Sequence, residues 1–199
     1  MSITISSGRG QGGWPKQGQW TYEDYLSLID ALEDGRIYEL INGTLYITNA
    51  PGAEHDACVD QLRLVLTRYA HAERQGHVLT KPFRLHLTDE ARPLQPDLFY
   101  TRQNEWSGAR AKYFKGVPDL VVEVLAPNSY RTDQVVKFGV YEAAGVPEFW
   151  LVNPRLGSVQ VFVRGSEGVL QLHNEFHGRD VIESKTLPRL RLTANALFG

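Results

Sequence analysis

The stretch that decides the fold is residues 118–125, which read PDLVVEVL. Five of the six residues from Leu120 to Leu125 are aliphatic, and such a run is typical of a short strand that is covered on both faces of a sheet. Glu123 lies in the middle of this run. Burying its carboxylate costs on the order of several kcal/mol unless a partner or a metal compensates. The sequence therefore predicts that Glu123 binds a specific partner in the folded protein.

A second acidic residue marks the start of another predicted strand. Residues 95–100 read QPDLFY, and a proline suits the first position of a strand because it has no N–H to donate to a neighbour. Asp97 therefore lies at a strand entrance. If the two strands are neighbours, Asp97 and Glu123 converge on one point. Because Mg²⁺ prefers oxygen ligands and often takes only one or two carboxylates, the pair is a candidate site for a divalent cation.

Helices and strands alternate around these two segments. The Asn-Gly pair at 42–43, between two apolar runs, is the strongest short-range signal for a β-hairpin. Apolar residues at helical spacing predict a long helix over about 53–75. Residues 102–117 are read as a loop or partly ordered flap, and 187–198 as mostly extended. The other predicted helices span 21–32 and 132–144, and the predicted strands span 36–41, 44–47, 77–87, 97–101, 119–125, 148–152, 158–164, 168–176 and 180–184. This order predicts a mixed α/β core.

Length and composition limit the classes of protein to consider. At 199 residues, we expect one domain over 20–199 that follows a flexible, Gly-rich tail over 1–19. A formal charge of −2 argues against a protein that coats nucleic acid by bulk electrostatics. The single cysteine, Cys58, excludes an internal disulfide and a multi-cysteine zinc site. We expect a cytoplasmic protein, because no apolar run approaches the ~18 residues of a membrane span and no signal-peptide pattern opens the chain.

The two acids and the element order resemble the PD-(D/E)XK nuclease superfamily. In that superfamily an Asp follows a Pro at the start of one core strand, and an acid and a Lys lie two positions apart on the next. Asp97 and Glu123 match the acidic positions, whereas Leu125 stands at the lysine position. The resemblance implies a restriction-endonuclease-like fold, in which a mixed sheet flanked by helices carries an N-terminal hairpin and extra C-terminal antiparallel strands.

A closer resemblance covers roughly residues 20–198. Three segments are similar to the Uma-two family of restriction-type endonucleases, namely 38–43 (YELING), 118–127 (PDLVVEVLAP) and 144–152 (AGVPEFWLV). In related nucleases the lysine migrates to the helix that follows the third core strand. Lys137 is the candidate for that migrated lysine in this chain.

This resemblance implies an endonuclease that hydrolyses DNA with Mg²⁺, or with Mn²⁺ in its place. Asp97, Glu123 and the Val124 carbonyl would hold the metal, which polarises the phosphate and lowers the pKa of a bound water. Lys137 would orient that water or stabilise charge on the phosphate. A homodimer is implied by analogy, since cutting both strands needs two centres. Basic residues would line the DNA groove, namely Arg84, Arg102, Arg110, Lys112, Lys115 and Arg131.

Two further residues are candidates for the catalytic site. Glu39 shares a face of the predicted hairpin with apolar residues, so it would reach the metal or hold one of its ligands. His55 lies on the inward face of the first turn of the long helix, where it would touch the phosphate or an active-site acid. The structural alternatives are a salt-bridged glutamate and a helix-terminal histidine.

Structural alternatives also exist for the main candidates. Asp97 could cap a strand end or bind an arginine, and Glu123 could pair with a buried arginine or lysine. Lys137 could be a surface lysine paired with Asp133, four residues earlier. Leu125 keeps a second function open, in which the protein retains the nuclease fold as a binding or structural module without turnover.

Overall fold

A six-stranded mixed sheet forms the centre of the protein in a computed structural model, which describes residues 13–30, 32, 34–88, 93–102, 113–127 and 131–198. The strands are β1 (Ile37–Ile41), β2 (Thr44–Thr48), β3 (His77–Thr80), β4 (Arg84–His86), β5 (Leu98–Thr101), β6 (Tyr113–Lys115), β7 (Leu120–Val124), β8 (Glu148–Asn153), β9 (Ser158–Arg164) and β10 (Leu170–His177). The helices are α1 (Tyr22–Ile29), α2 (Ala53–Glu73), a π-helical segment (Thr132–Lys137), α3 (Phe138–Ala144) and a 3₁₀ turn (Ala194–Leu197).

The central strand of this sheet is β7. The sheet order is β10-β9-β8-β7-β5-β3, with β7 parallel to β8 and antiparallel to β5. Every residue of β7 is buried, because helices and the C-terminal segment cover both faces. The register pairs Leu98 with Val122, and continuing it by one residue places Asp97 beside Glu123. The expected mixed sheet flanked by helices is confirmed.

The two faces of β7 belong to different apolar clusters. Val122 and Val124 pack with Leu62 and Leu66 of α2. Val121 packs on the other face with Tyr141 of α3. Because strand side chains alternate between faces, Glu123 points to the α3 face, the same face as Val121. The following helix therefore faces the buried carboxylate.

The N-terminal hairpin forms through the predicted turn. Asn42 and Gly43 have φ angles of 50° and 69°, the positive values that a two-residue type I′ turn requires at both positions. Helix α1 begins after Thr21, whose side chain caps the helix together with Asp24 in a reciprocal capping box. Residues before this helix also contact the hairpin, since the Gln17 amide bonds to the backbone of Leu45. Residues 1–12 of the predicted tail lie outside the described residues.

Several predicted elements differ from the structure. The strand predicted over 77–87 is divided into β3 and β4, because Pro82 between them has no N–H for a ladder. The predicted loop over 102–117 contains β6, which pairs in parallel with β4, while residues 103–112 lie outside the described part of the chain. The predicted helix over 132–144 begins as the π-helical segment. Among the residues described, no helix is both long and apolar enough to cross a membrane.

The strand predicted over 180–184 is wrong, because its residues bond elsewhere. Only an isolated bridge, from Val181 to Thr193, forms in this region. The Ser184 hydroxyl donates to Glu148 Oε1 at 2.7 Å and the Thr186 N–H donates to Glu148 Oε2 at 2.7 Å. The Trp150 indole N–H donates to the same Oε1 at 2.7 Å. A fully buried carboxylate thus holds the C-terminal segment against the sheet.

Replacing Glu148 with Gln should destabilise the protein by about 1–3 kcal/mol, because the new amide N–H₂ turns at least one buried donor toward another donor. Urea unfolding measures the change. The matched control is Glu167→Gln at an exposed turn, which should stay within about 0.5 kcal/mol of wild type. Equal stabilities for the two variants would contradict the role of Glu148 as an anchor.

Candidate active site

Four separate elements bring their charged side chains to one buried point at the end of β7. Glu39 comes from β1, Asp97 precedes β5, Glu123 lies in β7 and Lys137 ends the π-helical segment. Each of the four is at most 3% exposed. His55, in the first turn of α2, joins them from the other face of the sheet. The structure therefore brings together the five side chains predicted from the sequence as catalytic candidates.

Glu123 is held by three protein groups. Its Oε1 accepts a hydrogen bond from the Tyr141 hydroxyl at 2.6 Å and lies 3.2 Å from Lys137 Nζ. Its Oε2 accepts the backbone N–H of Asp97 at 3.4 Å. Burial raises the pKa of Glu123 to about 8, with Lys137 opposing the rise and the nearby acids adding to it. Burial therefore favours the protonated form of this carboxyl in metal-free protein.

Asp97 has a contrasting environment. Lys81 Nζ lies 2.7 Å from its Oδ1, and His55 Nε2 lies 3.1 Å from its Oδ2. The Val124 N–H also donates to Oδ2 at 2.8 Å. Burial alone would raise the pKa of Asp97, but Lys81 and His55 hold it well below its usual range. The pKa values of two adjacent carboxyls are thus shifted in opposite directions, because Asp97 faces Lys81 and His55 whereas Glu123 shares Lys137 with other acids.

Lys137 is surrounded by acids. Its Nζ lies 3.0 Å from Glu39 Oε2, 3.1 Å from Asp133 Oδ1 and 3.2 Å from Glu123 Oε1. Burial would lower the pKa of Lys137, yet these carboxylates raise it well above its ordinary value. The pairing with Asp133 that was considered from the sequence does form. It forms inside the site, so Lys137 is not the surface lysine of the structural alternative.

Glu39 and His55 connect this centre to its surroundings. Glu39 Oε1 accepts the Gln95 N–H at 2.8 Å, which fixes the backbone just before Asp97. The other ring nitrogen of His55, Nδ1, lies 3.2 Å from an Asp56 carboxylate. Burial would lower the pKa of His55, but the hydrogen bond to Asp97 raises it. Carboxylates facing both ring nitrogens favour the doubly protonated imidazolium, which donates from each nitrogen.

Two members of the cluster, Lys81 and Tyr141, were not predicted from the sequence. Lys81 contacts Asp97, but nothing in its local sequence signals this, because the contact arises only when β3 pairs with β5. Tyr141 was not among the predicted site residues, although it donates to Glu123. Its position four residues after Lys137 is the signal that would have found it, since residues at that spacing share a helix face.

The basic residues predicted to line a groove are spread over several places. Arg102 pairs with Asp119 at 3.4 Å, at the opposite end of β7 from Val124. Lys115 and Arg131 are exposed, and Arg84 is partly buried. Arg110 and Lys112 lie outside the described residues. The structure therefore does not gather these side chains beside Glu123 as one basic surface.

The donor set suits a hard divalent cation. The cluster holds four carboxyl groups (Glu39, Asp97, Glu123 and Asp133) and two ammonium groups (Lys81 and Lys137), and carboxylate oxygens are the ligands that Mg²⁺ prefers. A cavity of about 20 Å³ between these side chains has room for one water-sized particle. Within the described residues, no three acidic, histidine or cysteine side chains already surround one point as ligands. Metal binding would therefore require carboxylates to exchange lysine contacts for the cation.

The comparisons with known proteins agree with this fold. The family model Uma2, described as "Putative restriction endonuclease", matches residues 22–195. Because the match spans most of the chain, the protein belongs to the Uma2 family, and the resemblance seen in the sequence is confirmed. This membership places the chain among proteins of the nuclease class.

A solved structure shows the same fold. The crystal structure of "a putative nuclease belonging to DUF820" from Anabaena variabilis ATCC 29413 is similar, with a TM-score of 0.73 and 20% sequence identity. The match covers 89% of this chain and 97% of that one. At this identity the likeness establishes the fold alone. The comparison with curated proteins gives no match.

Metal-free protein should lose stability as the pH rises from about 5 to 8. The Glu123 pKa is about 8 in the folded protein against an ordinary value of 4.5, so in this window the folded state keeps a proton that the unfolded chain has released. Each pH unit then costs at most about 1.4 kcal/mol of unfolding free energy. Glu123→Gln should remove this component, as judged by urea unfolding in EDTA across the window. Parallel pH profiles for the variant and wild type would contradict the assignment.

Replacing Lys137 with Met should lower the free energy of unfolding in EDTA by about 3–5 kcal/mol, because buried carboxylates lose their shared cation. Chemical denaturation measures the loss. The control is Lys185→Met, an exposed lysine next to Thr186, which bonds to the backbone at the far end of β7. If the two variants are equally stable, Lys137 makes no net contribution to the fold.

Proposed function

We propose that the protein is a divalent-metal-dependent endonuclease that hydrolyses DNA phosphodiester bonds. The observation that carries the proposal is the meeting of the Glu39, Asp97 and Glu123 carboxylates with lysine ammonium groups at one buried point. Carboxylates can hold a metal, and ammonium groups can stabilise charge on a phosphate. Membership of the Uma2 family supports the nuclease class. DNA as the substrate and Mg²⁺ or Mn²⁺ as the metal are the proposed refinements.

The metal ligands in this proposal are the carboxylates of Asp97 and Glu123 and the carbonyl of Val124. The N–H and C=O of one strand residue point to the same side of the strand. Because the Val124 N–H donates to Asp97, its carbonyl is directed to that side as well. When bound, the metal supplies a Lewis acid that polarises the phosphate and lowers the pKa of a bound water.

The remaining residues position these ligands. Lys137 fixes Glu39 and Glu123 relative to each other and orients a water beside Glu123. Tyr141 donates to the same Glu123 oxygen, which leaves the carboxylate little rotational freedom. His55 holds Asp97 through Oδ2. Each of these residues acts by restricting a charged group to one geometry before the substrate arrives.

The alternative is an inactive nuclease-fold module, and one observation favours it. Leu125 is buried in the apolar cluster on the α3 face, so the residue at the usual lysine position cannot donate to a phosphate. The position of Lys137 Nζ, 3.2 Å from Glu123 Oε1, favours the enzyme, because the helix returns a buried cation to the acidic pair. A cytoplasmic location and a homodimer with one centre for each DNA strand belong to the same proposal, and sedimentation on duplex DNA tests the dimer.

Purified protein should nick supercoiled plasmid with Mg²⁺ or Mn²⁺ and not in EDTA. Glu123→Gln and Asp97→Asn should each lower the rate by more than roughly a hundredfold, beyond the usual loss on changing an outer-shell partner of a metal site. The exposed Glu167→Gln variant should cut at the wild-type rate. Single-stranded DNA and RNA of matched sequence, assayed in parallel, test the choice of substrate.

The outcomes separate the candidates. Wild-type protein that cuts none of these substrates with either metal would favour the inactive module. Cleavage of RNA alone would overturn DNA as the substrate while keeping the nuclease. Cleavage by Glu123→Gln at the wild-type rate would show that the activity comes from elsewhere.

A further inference from the structure

The two lysines of the cluster differ in how many carboxylates of the protein each ammonium group contacts. An ammonium group has three N–H donors. Lys137 faces three carboxylates, those of Glu39, Asp133 and Glu123, at 3.0–3.2 Å, and its side chain is only 4% exposed. Its ammonium is thus within ion-pair distance of three acids of the protein. A phosphate oxygen that approached Lys137 would have to compete with these carboxylates.

Lys81 has a more open position. Its side chain is 26% exposed, while the carboxylate that it contacts at 2.7 Å, that of Asp97, is 2% exposed. One donor directed to Asp97 leaves the ammonium able to bond a phosphate oxygen at the same time. Lys81 therefore combines contact with the buried acids and access from solvent.

The surrounding surface places Lys81 where the buried site opens. Lys81 lines the 20 Å³ cavity that also touches Lys137 and Asp97. It also lines an open cleft of about 430 Å³, together with His55, Asp97, Arg63 and two further acids, Asp56 and Asp60, and a second cleft of about 800 Å³. Both clefts have room for a nucleic-acid backbone, whereas the small cavity has room for a single water. A phosphodiester in the smaller cleft would lie beside both Asp97 and the Lys81 ammonium, which share its lining.

We propose that Lys81 is the residue that contacts the substrate phosphate, while Lys137 serves the protein's own carboxylates. The proposal rests on the proposed nuclease function and assigns a different role to each of the two lysines. Lys81 neutralises Asp97 before the substrate arrives and then shares its ammonium with a non-bridging phosphate oxygen. This contact holds the scissile group against the acids without requiring any movement of the buried Lys137.

The test compares Lys81→Gln with Lys81→Arg. Glutamine removes the charge but still offers an N–H₂ donor to Asp97, and arginine keeps the charge. Binding of a short DNA duplex is followed by fluorescence anisotropy in EDTA over a range of salt concentrations, so that no cleavage occurs. Losing one phosphate contact should reduce the slope of log K against log salt by about 0.9. Lys185→Gln, an exposed lysine at the other end of β7, is the control for a simple loss of one positive charge.

The expected result is a reduced slope for Lys81→Gln and wild-type slopes for Lys81→Arg and Lys185→Gln. In the cleavage assay, Lys81→Gln should be about 10–100-fold slower, with much of the rate restored in Lys81→Arg. An unchanged slope for Lys81→Gln overturns the proposal, and so does a wild-type protein that does not bind the duplex. If the slope falls but wild-type protein cuts nothing, the phosphate contact stands and the proposed catalysis fails.

Discussion

The burial of the Glu123 carboxylate in the central strand is the constraint on which the rest of the site depends. A carboxyl group without water must be protonated, bonded or paired. Glu123 accepts hydrogen bonds from Tyr141 and the Asp97 N–H and is paired with Lys137. Lys137 is itself a buried charge, so it must be paired with further acids. Glu39 and Asp133 supply them. These contacts join the hairpin and the helix to the strand of Glu123.

This arrangement makes the site a compromise between folding and chemistry. A buried ion pair recovers little net stability, because desolvation of both charges offsets their attraction. Acids outnumber ammonium groups here, and the raised pKa values of Glu123 and His55 favour their protonated forms. A protein selected for stability alone would do better with apolar side chains at these positions. That the chain keeps charges in its core is best explained by their use on a charged substrate.

Local sequence was sufficient where local physics decides the structure. The Asn42-Gly43 turn depends only on the backbone preferences of its two residues, and the strand of Glu123 depends only on its apolar run, so both could be predicted. Contacts of residues that no local pattern marks could not be predicted. Lys81 enters the site because β3 pairs with β5, and Ser184 joins the C-terminal segment to the sheet because it bonds to Glu148. Their partners are defined by the folded topology, which no window of sequence contains.

The π-helical segment before α3 determines which side chains of the helix face the sheet. A π turn holds one residue more than an α turn, and one residue corresponds to about 100° of rotation around the helix axis. The side chains before and after the turn are therefore rotated relative to those of an uninterrupted α-helix, and in this phase Asp133 and Tyr141 both face the sheet. Shortening the turn by one residue would leave every chemical group present and yet turn one end of the helix away from Glu123. The spacing of this segment is thus as much a part of the centre as the lysine that ends it.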